Sequence, residues 1–294
     1  MKVNRRSFIK GAALSGAFSP FAKAKSQERF SGENPGSGLP RRSIGGHSIS
    51  RLIIGGNPFS HIAHAEPLVY SGDLFRHYFT HEKVVETLLL SEIWGINTFL
   101  GRIDDNVVSF LRLYRKRRGK DMPWIAQTSK KPQRGATVDH IFENIKFAAD
   151  NGAIGVYLQG ESADYLVEQD RMSEIEQCLK FIGKLGLIAG VGAHDIGTIE
   201  ACERAGLEPD FYMKTYNRLE YCCPGFDRTR EVMTTMKKPW IAFKILAAGR
   251  MQSSEGFSSA VKAGADFLCV GMFDFQVAEN VELAASLFAG EAPS

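Results

Sequence analysis

The chain has 294 residues, 44% hydrophobic and 23% charged, with a formal net charge of +3. Residues 1–24 hold Lys2, Arg5, Arg6, Lys10 and Lys23 and no acid, so the remainder carries −2 and offers no basic surface for nucleic acid. The length is about twice a typical domain, yet it suits a single α/β barrel.

The N-terminus reads as an address rather than as fold. Asn4-Arg5-Arg6-Ser7-Phe8-Ile9-Lys10 is a twin-arginine pattern, followed by a mildly apolar run from Gly11 to Phe18 and a small-residue cleavage site at Ala22-Lys23-Ala24. Residues 1–24 are therefore expected to be a signal for the twin-arginine (Tat) export machinery, which would make the protein periplasmic or otherwise extracytoplasmic. The run is too short and too rich in Gly and Ser for a stable membrane span. Residues 25–40, rich in Ser, Gly and Pro, read as a linker, and 41–294 as the folded domain.

Arg41 to Ser50 reads as a hairpin turning on Gly45-Gly46. Eight short strands follow: Arg51–Gly56, Thr98–Arg102, Trp124–Ser129, Ile154–Glu161, Ile188–His194, Phe211–Asn217, Trp240–Leu246 and Phe267–Met272. Amphipathic helical segments alternate with them, and Gly95, Gly119, Gly152, Gly186, Gly206 and Gly264 stop several of these. The basic run Arg115–Arg118 closes one such helix, where cations suit the dipole. Eight such units give the count of a (β/α)8 TIM barrel, with a doubly wound sheet as the second choice. The connection Pro58–Thr80 is unusually long and holds His61, His64 and His77, so it is expected either to cover the C-terminal face as a lid or to be a surface insertion. Five cysteines without metal-site spacing read mostly as small buried apolar residues.

Several fragments together resemble the aldo-keto reductase superfamily over nearly the whole domain. The hairpin with Arg51-Leu52-Ile53-Ile54-Gly55-Gly56 looks like that family's opening. Trp94-Gly95-Ile96-Asn97-Thr98-Phe99 is similar to its approach to the second strand. Tyr216-Asn217, Leu246-Ala247-Ala248-Gly249 and Gln276-Val277-Ala278-Glu279-Asn280 resemble its sixth strand, seventh strand and cofactor-side helix. The resemblance implies NADP or NAD as a possible cofactor, with Glu279 and Asn280 toward the adenine end. The family's catalytic tetrad does not carry over. Leu100 stands for its Asp, Ile103-Asp104-Asp105-Asn106 offers no Tyr, Gln127 or Thr128 stands near its Lys, and Gln159 stands for its His. His194-Asp195 replaces its Ser-Asn on the fifth strand.

The strand ends are then read for their own chemistry. A charge facing the helix layer is costly to desolvate, so the inward set is chosen to keep charges off that layer. This puts Asn57, Arg102, Gln127, Gln159, Glu161 and His194 inward, with Tyr212, Lys214 and Tyr216 on strand six and Trp240, Ala242 and Lys244 on strand seven. The resemblance instead turns Met213 and Phe243 inward. Glu161, His194, Lys214 and Lys244 are the expected catalytic residues. Two neighbouring lysines depress a pKa, a neutral lysine can form a Schiff base or act as a base, and Glu161 or His194 can move protons. Asn57, Arg102, Gln127, Gln159 and Tyr216 are expected to bind the substrate, and Arg102 with the lysines could hold a carboxylate or phosphate. Metal ligation by His61, His64, His194 and Glu161 is a weak pattern, and no metal is expected. The expectation is an exported enzyme acting on a small carbonyl or sugar-like substrate with non-standard active-site residues. The alternatives are a cofactor-independent lyase or isomerase using Lys, His and Glu, or a protein that binds without turnover.

Overall fold

The computed structural model describes residues 38–64, 68–134 and 137–290. The expected export signal and all but the last three residues of the expected linker lie outside the described residues. Strands β1 (Arg41–Ile44) and β2 (His47–Ser50) form the predicted antiparallel hairpin. Its two turn residues have positive φ, 54° at Gly45 and 83° at Gly46, which glycine adopts without a Cβ penalty.

Eight parallel strands then close a barrel: β3 (Leu52–Gly55), β4 (Phe99–Arg102), β5 (Trp124–Gln127), β6 (Ala153–Leu158), β7 (Ile188–Ala193), β8 (Phe211–Thr215), β9 (Trp240–Phe243) and β10 (Phe267–Val270). Neighbours in sequence pair in space, and β10 pairs with β3 to complete the ring. Helices follow the strands: α1 (Ser71–Tyr78), α2 (His81–Ile93), α3 (Asp105–Arg118), α4 (Asp139–Asp150), α5 (Gly160–Glu168), α6 (Met172–Lys184), α7 (Ile196–Arg204), α8 (Phe226–Thr234), α9 (Ser253–Lys262) and α10 (Val277–Ala289). The fold is the expected (β/α)8 barrel with an N-terminal β-hairpin. Local chemistry sets the helix ends: Asp104 accepts from the Val107 N–H at 2.9 Å at the start of α3, and Gly119 in left-handed conformation ends it. Among the described residues, no helix is long and apolar enough to cross a membrane.

Alternation along each strand sorts the apolar side chains into two cores. Ile53, Leu100, Ile125, Tyr157, Ile188, Phe211, Met213, Ile241 and Phe267 fill the barrel axis, joined by Ile44 and Ile49 of the hairpin. Leu52, Ile54, Phe99, Trp124, Val156, Leu158, Val191, Tyr212, Trp240 and Val270 face the helices. Large and small residues interlock around the axis: a Cβ at Gly190 would lie 2.4 Å from the Phe211 ring. The hairpin stoppers the N-terminal end. The Asn97 side chain fastens it, accepting from the Ser50 N–H and donating to the Ser48 carbonyl, each at 2.8 Å.

The seam between β10 and β3 is pinned by Arg51. Its guanidinium donates to the carbonyls of Asp266 at 2.8 Å and Ala265 at 3.1 Å and lies 3.7 Å from the Phe288 ring centre. Between α2 and α3, Glu92 accepts from the Tyr114 hydroxyl at 2.8 Å and from Arg118 at 2.7 Å and also pairs with Lys120. Partial burial alone would raise the Glu92 pKa, but these three donors overcome it and hold the carboxyl at about 2. A depressed pKa stabilises the fold above the ordinary carboxylate range, and that contribution disappears as pH falls toward about 2. Glu92→Gln should therefore lower the unfolding free energy at pH 7 by roughly 1–2 kcal/mol, after screening by solvent. In urea titrations the gap from the parent protein should close steadily from pH 5 downward; a gap independent of pH would contradict this account.

Candidate active site

The C-terminal ends of the strands open into a cavity of about 520 Å³. It is lined by Gly55, Asn57, Leu100, Arg102, Gln127, Tyr157, Gln159, Glu161, His194, Met213, Phe243 and Lys244. Its volume falls in the usual range for small-molecule sites. Of the expected site residues, Asn57, Arg102, Gln127, Gln159, Glu161, His194 and Lys244 thus meet at one place.

The long connection from β3 lies over this cavity. Ile62, Ala63, His64 and Phe75 line it, and α1 forms within the stretch expected to be loop. Phe59 is buried against Phe79, Phe99 and Phe110, which anchors the start of the connection. At its far end, Phe75, Tyr78 and Phe79 pack around Phe273, just beyond β10. Tyr78 and Lys83 both donate to Asp274. Burial alone would raise the Asp274 pKa, yet those two donors bring it below the usual carboxylate value.

His194 follows the last residue of β7. Its Nδ1 lies 3.1 Å from Asp164 Oδ2, on α5 of the preceding unit. The same carboxylate oxygen accepts the His194 backbone N–H at 3.0 Å, and Oδ1 accepts the Thr198 hydroxyl at 2.7 Å. Asp164 is therefore held from two elements and fixes the ring. With Nδ1–H donated to Asp164, Nε2 carries the lone pair, and it has no hydrogen-bond partner among the described residues. The ring fits against the start of α5 because residue 160 is glycine: a Cβ there would meet Cε1 and Nδ1 at 2.8 Å. The residue-type reading pointed to His194 and missed Asp164, which becomes visible only when α5 and β7 are placed side by side.

Glu161 does not sit on a strand. β6 ends at Leu158, and Glu161 lies in the first turn of α5, where it pairs with Lys131. That hydrogen bond lowers the Glu161 pKa against the opposing effect of burial. The carboxylate is thus held ionised, which disfavours it as a proton donor. Gln159 is the interior residue beyond the end of this strand. Its Oε1 accepts from the Ser162 hydroxyl at 3.1 Å, its side chain also hydrogen-bonds Glu161, and the residue lines the cavity.

The inward parity expected for strands six and seven is overturned. Met213 and Phe243 face the axis, and Tyr212, Trp240 and Ala242 face the helices. Lys214 points outward and is fully buried. Its Nζ donates to the carbonyl of His194 at 2.6 Å and to both the carbonyl and hydroxyl of Thr215 at 3.0 Å, with the Cys223 sulfur at 3.8 Å. These acceptors offset the desolvation cost on which the parity rule relied. Burial still pushes the Lys214 pKa down, but its amine does not reach the cavity and cannot meet a substrate there. Lys214 instead fixes the His194 carbonyl from behind. Tyr216 is also outside the barrel, buried between Phe226 and Trp240 at ring distances of 5.0 and 6.0 Å.

Lys244 reaches the cavity by another route. Alternation past Phe243 would send it outward, but its φ of 54° breaks the strand and turns the side chain to the mouth. Its Nζ lies 5.5 Å from the Tyr221 ring centre and 3.9 Å from the exposed Cys222 sulfur.

The residues that the resemblance assigns to the adenine end of a nicotinamide cofactor both stand on α10. Asn280 is buried with its amide nitrogen 3.9 Å from the Met272 sulfur, Glu279 is exposed on α10, and neither lines the cavity. Among the described residues, no group of three or more His, Cys, Asp or Glu side chains is placed to hold a metal ion.

No protein-family model matches the chain, and no curated protein matches it. Among solved structures, it is similar to that of a candidate aldo-keto reductase of Pseudomonas aeruginosa, with TM-score 0.60 and 17% identity. That match covers 84% of this chain and 96% of the other. A second candidate aldo-keto reductase structure from the same organism gives TM-score 0.58 at 16% identity, covering 84% and 95%. At this level of identity the likeness is one of fold: an aldo-keto reductase-like closed barrel of eight parallel strands.

The two lysines should differ sharply in reactivity. Brief treatment of the native protein with dilute acetic anhydride should acetylate Lys244, while Lys214 should react only after unfolding. Peptide mass spectrometry checks this, and equal labelling of both in the native state would restore the inward parity.

Proposed function

We propose that this chain is an enzyme that transfers a proton on a small carbonyl or sugar-like substrate, as an isomerase or lyase working without a nicotinamide cofactor. The observation that carries this reading is the Asp164–His194 pair, with the free Nε2 of His194 on a residue that lines the cavity. An imidazole held this way can take a proton from the carbon next to a carbonyl and return it to the neighbouring carbon. Asp164 keeps the tautomer and stabilises the imidazolium that forms. Gln127, Gln159 and Asn57 offer amide donors and acceptors suited to hydroxyl groups, and Arg102 or Lys244 can face the oxygen that gains charge. We read the barrel as a divergent relative of the aldo-keto reductases. This is supported by Leu100, Gln127 and Gln159, which stand at the cavity where that family's Asp, Lys and His would be expected. The twin-arginine pattern in residues 1–24 supports action outside the cytoplasm.

Incubation with a panel of aldoses, ketoses and sugar acids in D2O, without added nicotinamide, tests the chemistry. Proton NMR should show exchange of the carbon-bound hydrogen beside the carbonyl for at least one compound. His194→Gln should slow that exchange about 100-fold or more, and Asp164→Asn by a similar order, with circular dichroism unchanged. Exchange no faster than in buffer across the panel, or unaffected by His194→Gln, would sink the reading.

A further inference from the structure

The charges around the cavity do not cancel. Arg102 pairs with Asp104 at 3.1 Å, Lys131 pairs with Glu161, and His194 is held by Asp164. Lys244 also lines the cavity and has no carboxylate partner among the described residues. Its Nζ stands 5.5 Å from the Tyr221 ring centre and 3.9 Å from the Cys222 sulfur, and the Arg250 guanidinium, which does not line the cavity, lies 4.5 Å from the centre of the same ring. A cation facing a partly enclosed cavity without a counter-ion attracts an anion.

The backbone shows that this placement is specific. Lys244 adopts a left-handed φ of 54°, and Ala247 and Ala248 follow at 46° and 58°. Such values are unfavourable for residues with a Cβ and persist where the surroundings enforce them. Here they turn the chain out of β9 so that the lysine faces the mouth instead of the helix layer. The same cavity is lined by residues with neutral amides, Asn57, Gln127 and Gln159, which suit hydroxyl groups.

We infer that the substrate is a polyhydroxylated carbonyl compound bearing one carboxylate, a sugar acid, and that Lys244 binds this carboxylate. This rests on the cavity's being the substrate site, as in the function proposed above, but not on His194's acting as the base. Among the described residues that line the cavity, one cation without a carboxylate partner matches a carboxylate better than a phosphate dianion. The cavity of about 520 Å³ leaves room for a six-carbon acid.

Isothermal titration of the full chain with D-gluconate, glucitol and glucose 6-phosphate at fixed ionic strength is the test. Gluconate should bind about tenfold or more tightly than its neutral counterpart glucitol. Lys244→Met should abolish that preference while leaving glucitol binding as it was, and Lys244→Arg should retain it. His194→Gln should leave the preference in place, so binding and proton transfer can fail separately. Equal affinity for gluconate and glucitol, no binding of gluconate, or a preference that survives Lys244→Met overturns the inference. Tighter binding of glucose 6-phosphate than of gluconate overturns the assignment of a carboxylate.

Discussion

In a closed ring of eight strands, each side chain goes either to the axis or to the helices, and the axis has little room. That constraint governs the molecule. Ile188, Phe211 and their neighbours fill the axis, and the hairpin stoppers its N-terminal end with Ile44 and Ile49. An open volume can then form only where alternation stops, at the C-terminal ends. Residues just past those ends are released from strict parity, and they supply the chemistry. His194 follows β7, Gln159 follows β6, and Lys244 follows β9 with a left-handed twist that strand geometry forbids.

The same constraint explains how far the sequence could be read. Strand order, the hairpin and the barrel count follow from alternation and stop signals, which are local. The expected C-terminal ends overrun seven of the eight barrel strands by one to three residues because strand-like residues continue into the turns; Glu161 is carried along in this way although α5 begins at Gly160. Lys214 was misplaced for a different reason. Its buried ammonium is satisfied by the His194 carbonyl, by Thr215 and by a cysteine eight residues beyond Thr215, a set that only tertiary structure assembles. Tyr216 shared the parity of Lys214 and moved with it. Asp164 carried no signal beyond being an acid early in a helix, since its role comes from a neighbouring unit.

Carboxylates in this fold do different work according to what they touch. Glu92 and Asp274 draw in several donors each and hold elements together. Glu161 meets a single lysine at the rim, which keeps it charged and disfavours it as a proton donor. Asp164 touches an imidazole instead of a cation, so its effect is orientation. Among the described residues Lys244 lines the cavity without a carboxylate partner, and Asn57, Gln127 and Gln159 line it without adding another charge.

The covering segment leaves the barrel after β3 and is fastened at Phe273 and Asp274, just after β10. Those are the first and last strands of the ring, and they pair at the seam. Floor and roof of the cavity therefore both depend on the final strand and the residues just after it. A chain ending before β10 would lack both the seam pairing and the fastening at Phe273 and Asp274. Small molecules that fit the cavity would select finished barrels from incomplete ones, which makes occupancy a gauge of completed folding as well as of chemistry.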